Sequence, residues 1–461
     1  RVLSRIVCDS LLLANIKKEK MKEIYKQKIN KKLVMPALMF MRQEKSSGIV
    51  LGIAVIIALL LANSPWREQY FEFFEHHLGF VFDGRPYFNF SLEHWINDGL
   101  MSLFFFVVGL ELKREFIGGE IREIKKVVLP VGAAILGMLF PAAIYLSFNI
   151  GTSVAHGWGI PMATDIAFAL AIVYLLGDKV PLSAKVFLTT LAIVDDLGSV
   201  IVIALFYTSN ISIPSILVGL TFLGIMFIGN KMGIKYAFFY GILGVCGVWV
   251  AFLMSGVHAT IAAVLAAFVI PADSQIPEST FIARLRRQLH RFENAESNDV
   301  RTLEEEQVEI ISQVKAEAFN AVPPLQRLEH GMHPFVSFVI MPIFALANAG
   351  VAFIDMDLQS LFSNHVALGV MFGLLLGKPL GIVLAVWLLS KLGLGKRSKK
   401  MTWHRIFGLG FLASIGFTMS MFVTSLAFDE PVSHVQAKVG IFAASIIGGL
   451  AGYYLLKISK R

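Results

Sequence analysis

Four ionisable residues stand inside otherwise apolar runs of this chain: Asp165 in IPMATDIAFAL, Asp195 and Asp196 in LAIVDDLGSV, and Lys378 in GKPLGI. A charge at the centre of a hydrocarbon layer costs about 2.5–3.5 kcal/mol on the insertion scale, so the four together cost on the order of 10 kcal/mol. A single ion pair with Lys378 would do no more than fix helix packing. Three carboxylates against one ammonium leave a surplus of negative charge that packing does not need, and that surplus reads as a cation site. Asp195 and Asp196 are consecutive, so on a helix they diverge by about 100° and lie about 1.5 Å apart along the axis. They can border one cavity but do not easily share one partner. Their repulsion in a low dielectric lets the pair hold a proton or a hard cation, and not both. Competition between H+ and a cation for one carboxylate site is the chemistry of an exchanger.

The elements that carry these residues have to be membrane spans. Of the 461 residues, 56% are hydrophobic and 16% charged, with a mean hydropathy of +0.68. A soluble domain holds about 45–50% apolar and about 25% charged residues. A bilayer core of about 30 Å takes about 20 residues of helix. Uncharged apolar runs of that kind occupy 127–150, 211–229, 236–257, 334–354, 406–428 and 439–456. Four more are interrupted by isolated ionisable residues: 95–110 by Asp98, 158–177 by Asp165, 183–208 by Asp195 and Asp196, and 366–390 by Lys378. Runs at 48–63 and 258–271 bring the expectation to about twelve transmembrane helices in an all-α polytopic membrane protein.

The basic residues test this count, because cytoplasmic loops carry the excess of Lys and Arg. With both termini inside, the inner loops and C-terminus hold 25 of the 41 basic residues, and the outer loops hold only Arg67, Arg85 and Lys438. The N-terminal tail adds 12 and Lys378 is the last. The net charge of +8 is then a record of orientation and not a nucleic-acid surface. Two cysteines, Cys8 and Cys246, support neither a disulfide framework nor a Cys-rich metal site.

The chain divides into a polar N-terminal tail over 1–47, transmembrane helices 1–8 over 48–271, a cytoplasmic polar insert over 272–327, and helices 9–12 with a short C-terminal tail over 328–461. The tail contains NIKKEKMKEIYKQKINKK and reads as a solvated, disordered or non-native segment; its apolar run is too short for a signal peptide. The insert holds two amphipathic helices, near 279–292 and 301–319, and no catalytic motif. The outer segment 66–94 alternates aromatic and polar residues, which fits a hairpin.

Thr164 and Asp165 lie mid-span beside Pro161, and the Gly-Phe-Thr-Met-Ser stretch of LASIGFTMSMF lies mid-span in the eleventh helix. Interrupted helices in matching positions of two groups, spans 3–5 and 10–12, mark inverted-topology repeats whose broken helices cross at the midplane. Asp165 would then balance facing N-terminal half-helix ends, and Lys378 facing C-terminal ends.

WINDGLMSLFFFVVGLELKREF, ATDIAFAL, LAIVDDLGSVIVIALFYT, SGVHATIAAV, RLEHGMHPFV, PIFALANAGV, GKPLGI and SIGFTMSMF, in this order from about 48 to 456, resemble the NhaA-type sodium/proton antiporters. The resemblance implies Na+/H+ binding at Asp195 and Asp196, with Asp196 as principal ligand of the transported ion. It pairs Lys378 with Asp195 and places Asp165 with Thr164 at the broken helix. Asp98 becomes an access-funnel carboxylate between the cytoplasm and the centre. Glu111, Glu115, Glu329, His330 and His333 become candidates for the pH response, for which His is the natural switch between about pH 5 and 8. The insert, directly before RLEH, departs from the family pattern.

The implied function is secondary active exchange of cytoplasmic Na+ (or Li+) for external H+ across a bacterial inner membrane, electrogenic and pH-regulated, for sodium and pH homeostasis. No cofactor is implied beyond the transported ions, and the partners are the bilayer and a second copy joined through the 66–94 hairpin. An enzyme is not expected. Intramembrane aspartyl proteases place their two aspartates on separate helices, whereas this pair is consecutive, and no His-Glu-x-x-His, nucleophile elbow or phosphate loop occurs. A channel would need no pair of broken helices.

Overall fold

The computed structural model describes residues 44–459 except 84, 120–123, 209–210, 296–301, 354–363 and 396, so the polar tail up to residue 43 lies outside the described residues. The chain opens with α1 (Glu44–Ala62) and α2 (Arg67–Glu75), then a β-hairpin of β1 (His77–Phe82) and β2 (Arg85–Ser91). There follow α3 (Leu92–Gly118), α4 (Ile124–Asn149), the 3₁₀ segment α5 (Ala155–Met162), α6 (Ile166–Leu175), α7 (Leu182–Phe206), α8 (Ile213–Lys231), α9 (Ala237–Leu253) and α10 (Ala259–Val269). The insert supplies α11 (Glu278–Asn294) and α12 (Glu305–Ala321). The last group is α13 (Pro324–Asn348), α14 (His365–Lys391), α15 (Trp403–Ala413), α16 (Phe417–Ala427) and α17 (Pro431–Ile458).

Among the described residues, eight helices are long and apolar enough to cross a membrane, or up to ten if each bent pair is one span. The bent pairs are α1 with α2, at 113°, and α15 with α16, at 45°. The expected spans 236–257 and 258–271 correspond to α9 and α10, which are shorter. Twelve full-length spans is therefore not what helix length supports. The shortness of α10 has a local cause. Its last carbonyls are satisfied from outside the helix: Lys113 Nζ donates to the oxygens of Phe268 and Ile270, and Asn230 Nδ2 to that of Val269. The chain leaves through Pro271, which has no N–H with which to continue.

The hairpin is the one β element among the described residues and lies where the 66–94 pattern placed it. Its strands run antiparallel, with Leu78 opposite Phe90 and Phe80 opposite Tyr87 across an irregularity. At this hairpin end of the bundle, Trp95 Nε1 donates to Leu78 O. The far end of α3 meets the carbonyls that precede the insert, so the bundle has a hairpin end and an insert end.

The centre is closed by glycine-mediated contact. Gly369, Gly373, Gly377 and Gly381 recur every four residues along α14, on the face that meets α4. A Cβ on Gly377 would stand 2.7 Å from Pro141 Cα, and one on Gly373 would stand 2.9 Å from Pro161 Cβ. Small residues replace apolar bulk in helix association within lipid because they let backbones approach. Here the approach brings the neighbouring Lys378 to the centre of the bundle, where it is fully buried.

Candidate functional site

Two interruptions meet in the core. Residues 163–165 separate α5 from α6, and residues 414–416 separate α15 from α16. They bond to one another. Asp165 N donates to Ile415 O at 2.6 Å, Thr164 Oγ1 to Ala413 O at 2.9 Å, and Ser420 Oγ to Ile160 O at 2.8 Å. An interrupted helix leaves N–H and C=O groups unpaired where lipid offers no partners, so each break supplies what the other lacks.

Asp165 is the hinge of this exchange. Its Oδ1 accepts from Phe168 N at 3.2 Å, which caps α6, and its Oδ2 accepts from Thr418 N at 3.1 Å and from the Thr418 hydroxyl, which caps α16. One carboxylate thus faces two helix N-termini, each with partial positive charge. Its oxygens are occupied, which leaves it poorly placed to serve as a primary cation ligand.

Lys378 donates to Asp195 Oδ2 in a direct buried ion pair and to Thr164 Oγ1 at 2.7 Å. Thr164 passes a hydrogen bond on to Ala413 O, the last residue of α15. The ammonium therefore touches side chains, and its field reaches the C-terminal half-helix end through one hydroxyl.

Asp195 and Asp196 project from α7 and are both buried. Asp195 keeps Oδ1 without a hydrogen-bond partner, and Asp196 has neither oxygen engaged. Asp196 borders a cavity of about 290 Å³ whose walls include Asp165, Thr418, Phe104, Met341, Glu111 and His333. Among the described residues, no group of three or more His, Cys, Asp or Glu is placed to hold a metal ion. The arrangement is an open carboxylate in a polar-tipped, apolar-walled cavity, suited to binding a small cation reversibly.

The same cavity brings in part of the expected pH cluster, with Arg114 at its hub. Arg114 Nη1 stands 3.2 Å from Glu329 Oε1, and its Nη2 3.0 Å from Glu115 Oε1 and 4.0 Å from Glu111 Oε1. Glu329 is buried, while His330 and His333 are exposed. Ser337 Oγ lies 3.5 Å from His333 Nδ1.

Asp98, which the resemblance made an access-funnel carboxylate, does not line the cavity of Asp196. It lies near the hairpin end of α3, about 20 Å along the axis from Glu111 at 1.5 Å per residue. There His94 Nε2 stands 3.2 Å from its Oδ2, and Phe90 stacks on His94 at 4.5 Å.

Sequence reading missed Thr418 and Arg114 as members of the site. Thr418 was visible only as part of a Gly-Phe-Thr-Met-Ser stretch. Arg114 read as a topology charge, although an arginine flanked by Glu111 and Glu115 on one helix turn was an available signal.

Comparison with known proteins identifies relatives along most of the chain. The profile of the Na+/H+ antiporter 1 family matches residues 38–456. The Na(+)/H(+) antiporter NhaA of Oleidesulfovibrio alaskensis is 46% identical over 93% of this chain and 95% of its own length. The protein of the same name from Wolinella succinogenes is 44% identical over 92% of this chain and 93% of its own length. That from Koribacter versatilis is 45% identical over 92% and 91%.

Proposed function

The chain belongs to the Na+/H+ antiporter 1 family, and on that premise we propose that it exchanges Na+ for H+ across a bilayer through the cavity bordered by Asp196. The observation that carries this reading is the Asp196 carboxylate, buried with both oxygens unengaged at the wall of that cavity. Na+, or Li+, enters from the cytoplasm and is held chiefly by Asp196, with Asp195 contributing as its bond to Lys378 loosens. Protons returning from outside re-occupy these groups and release the cation. Proton and cation exclude one another because two adjacent carboxylates in a low dielectric cannot stay charged without a counter-ion.

Lys378 supports an electrogenic version. If the ammonium gives up its proton as Asp195 turns to the cation, two protons cross for each Na+, and the membrane potential contributes about 2.3 kcal/mol per charge per 100 mV. Asp165 is a fixed counter-charge to two helix ends, held by Thr418, while Thr164 links Lys378 to the end of α15. The Arg114 cluster, with Glu111, Glu115, Glu329, His330 and His333, guards the insert end and sets the pH response. Asp98 serves the opposite mouth.

The charge asymmetry supports an orientation in a bacterial inner membrane with the insert end, and both termini, on the cytoplasmic side. The exposed Leu78, Phe80 and Val81 of the hairpin suit pairing with the hairpin of a second copy. In everted vesicles, Na+ added to the wild type dissipates an imposed proton gradient, and Asp196→Asn abolishes the response. Wild-type exchange by that variant would remove Asp196 from the site.

A further inference from the structure

Outside the transport cavity, α14, α15 and α17 frame a second groove of about 710 Å³ at the insert end. Its walls are Leu380, Val383, Leu384, Trp387, Trp403 and Phe407, with His404 and Leu455 completing it. Most of this lining is exposed on the outer face of the bundle, including Leu380, Leu384, Trp387, Trp403 and Phe407. In a membrane such a face meets acyl chains.

Cations crowd the groove's upper rim. Lys391 Nζ lies 4.9 Å from the centre of the Trp387 ring, and the Arg397 guanidinium carbon 4.6 Å from that of Trp403. Lys399 and Lys400 are exposed on the same connection. No Asp or Glu occurs between residues 358 and 428. This basic rim therefore has no carboxylate of its own segment to neutralise it.

We propose that this groove binds one anionic phospholipid, its acyl chain along Leu380, Leu384 and Phe407 and its phosphate against Lys391 and Arg397. The two tryptophans mark the depth. Indole rings settle at the boundary between hydrocarbon and headgroup, so the cations stacked on them stand at phosphate level. Basic pockets between transmembrane helices select anionic headgroups by charge, while the apolar walls require a chain. A soluble phosphate would satisfy the rim alone and an uncharged lipid the walls alone.

The test uses delipidated, detergent-purified full-length protein and native mass spectrometry with added phosphatidylglycerol or phosphatidylcholine of matched chains. The wild type should retain phosphatidylglycerol about tenfold or more over phosphatidylcholine. Lys391→Gln with Arg397→Gln should bring that ratio close to one. Lys179→Gln with Lys185→Gln, away from the groove, should leave it unchanged. Glycerol phosphate should fail to displace the bound lipid. Equal retention of both lipids, persistent selectivity in the groove variant, an equal loss in the control variant, or displacement by glycerol phosphate would each overturn the proposal. Sodium-dependent exchange is not the readout, so the result stands apart from the transport assignment.

Discussion

The Lys378 ammonium donates directly to Oδ2 of Asp195, while the next residue, Asp196, turns its carboxylate to the cavity wall with neither oxygen engaged. Two aspartates with the same burial thus have opposite electrostatic situations. Asp195 is neutralised within the protein, and Asp196 is left for whatever enters.

Their substitutions should separate accordingly. Asp195→Asn leaves a buried ammonium without its counter-charge, which costs roughly 3–5 kcal/mol. Adding Lys378→Met removes the orphan and should recover most of that loss. Asp196→Asn deletes an unpaired charge and should leave the melting temperature near or above the wild type while exchange is lost. Thermal unfolding of the purified variants in detergent checks this. Equal destabilisation by the two Asn variants would contradict the assigned division.

Thr418 offers a narrower test. Its hydroxyl and backbone N–H both reach Asp165 Oδ2. Thr418→Val keeps the shape and the N–H but removes the hydroxyl, and a hydrogen bond to a charged group contributes about 1.5–3 kcal/mol. The variant should unfold at lower temperature and show a raised KM for Na+, because the N-terminus of α16 is then tied to Asp165 by the backbone N–H alone. Thr418→Ser should behave as the wild type in both measurements.

Arg114 and Glu329 join α3 to α13 at the mouth of the cavity. Arg114→Gln leaves Glu329 buried with a weaker partner, and because the guanidinium is about one-third exposed the loss should be limited to about 1 kcal/mol after solvent screening. Glu329→Gln made together with it should cost less than the sum of the single changes. A double-mutant cycle on unfolding temperature measures the coupling, and additive losses would mean that the pair contributes nothing.

How much of this was legible in the sequence depends on contrast. Asp165, Asp195, Asp196 and Lys378 stood out because each interrupts an apolar run where a charge is costly. Thr418 did not, since hydroxyls are ordinary in Gly-rich membrane helices, and its partner lies 253 residues away. Arg114 was hidden by its position: a charge near a helix end needs no reason beyond topology, and only the folded chain brings Glu329 to it. The distance of Asp98 from the cavity of Asp196 was hidden for a related reason. A motif identifies a residue but not which cavity its side chain borders. Helix length was misread where a partner ends the helix, as Lys113 and Asn230 do for α10.

The glycine stripe of α14 makes the last prediction. A Cβ on Gly381 would run into the backbone carbonyl of Leu136 on α4, and backbone cannot rotate aside as a side chain can. Gly381→Ala must therefore push α14 outward, at about 1–3 kcal/mol by the usual cost of overpacking. Lys378 lies three residues earlier on the same helix, so the shift lengthens its reach to both Asp195 and Thr164. Exchange should fall further than the loss of stability accounts for. Gly393→Ala is an apt contrast, since a Cβ there meets nothing within 4 Å, although its φ of +72° strains any other residue. That variant should lose stability with little change in the KM for Na+, whereas Gly381→Ala should change both. If Gly381→Ala lowers the unfolding temperature and leaves KM and turnover intact, the close approach of α14 to α4 does not position Lys378.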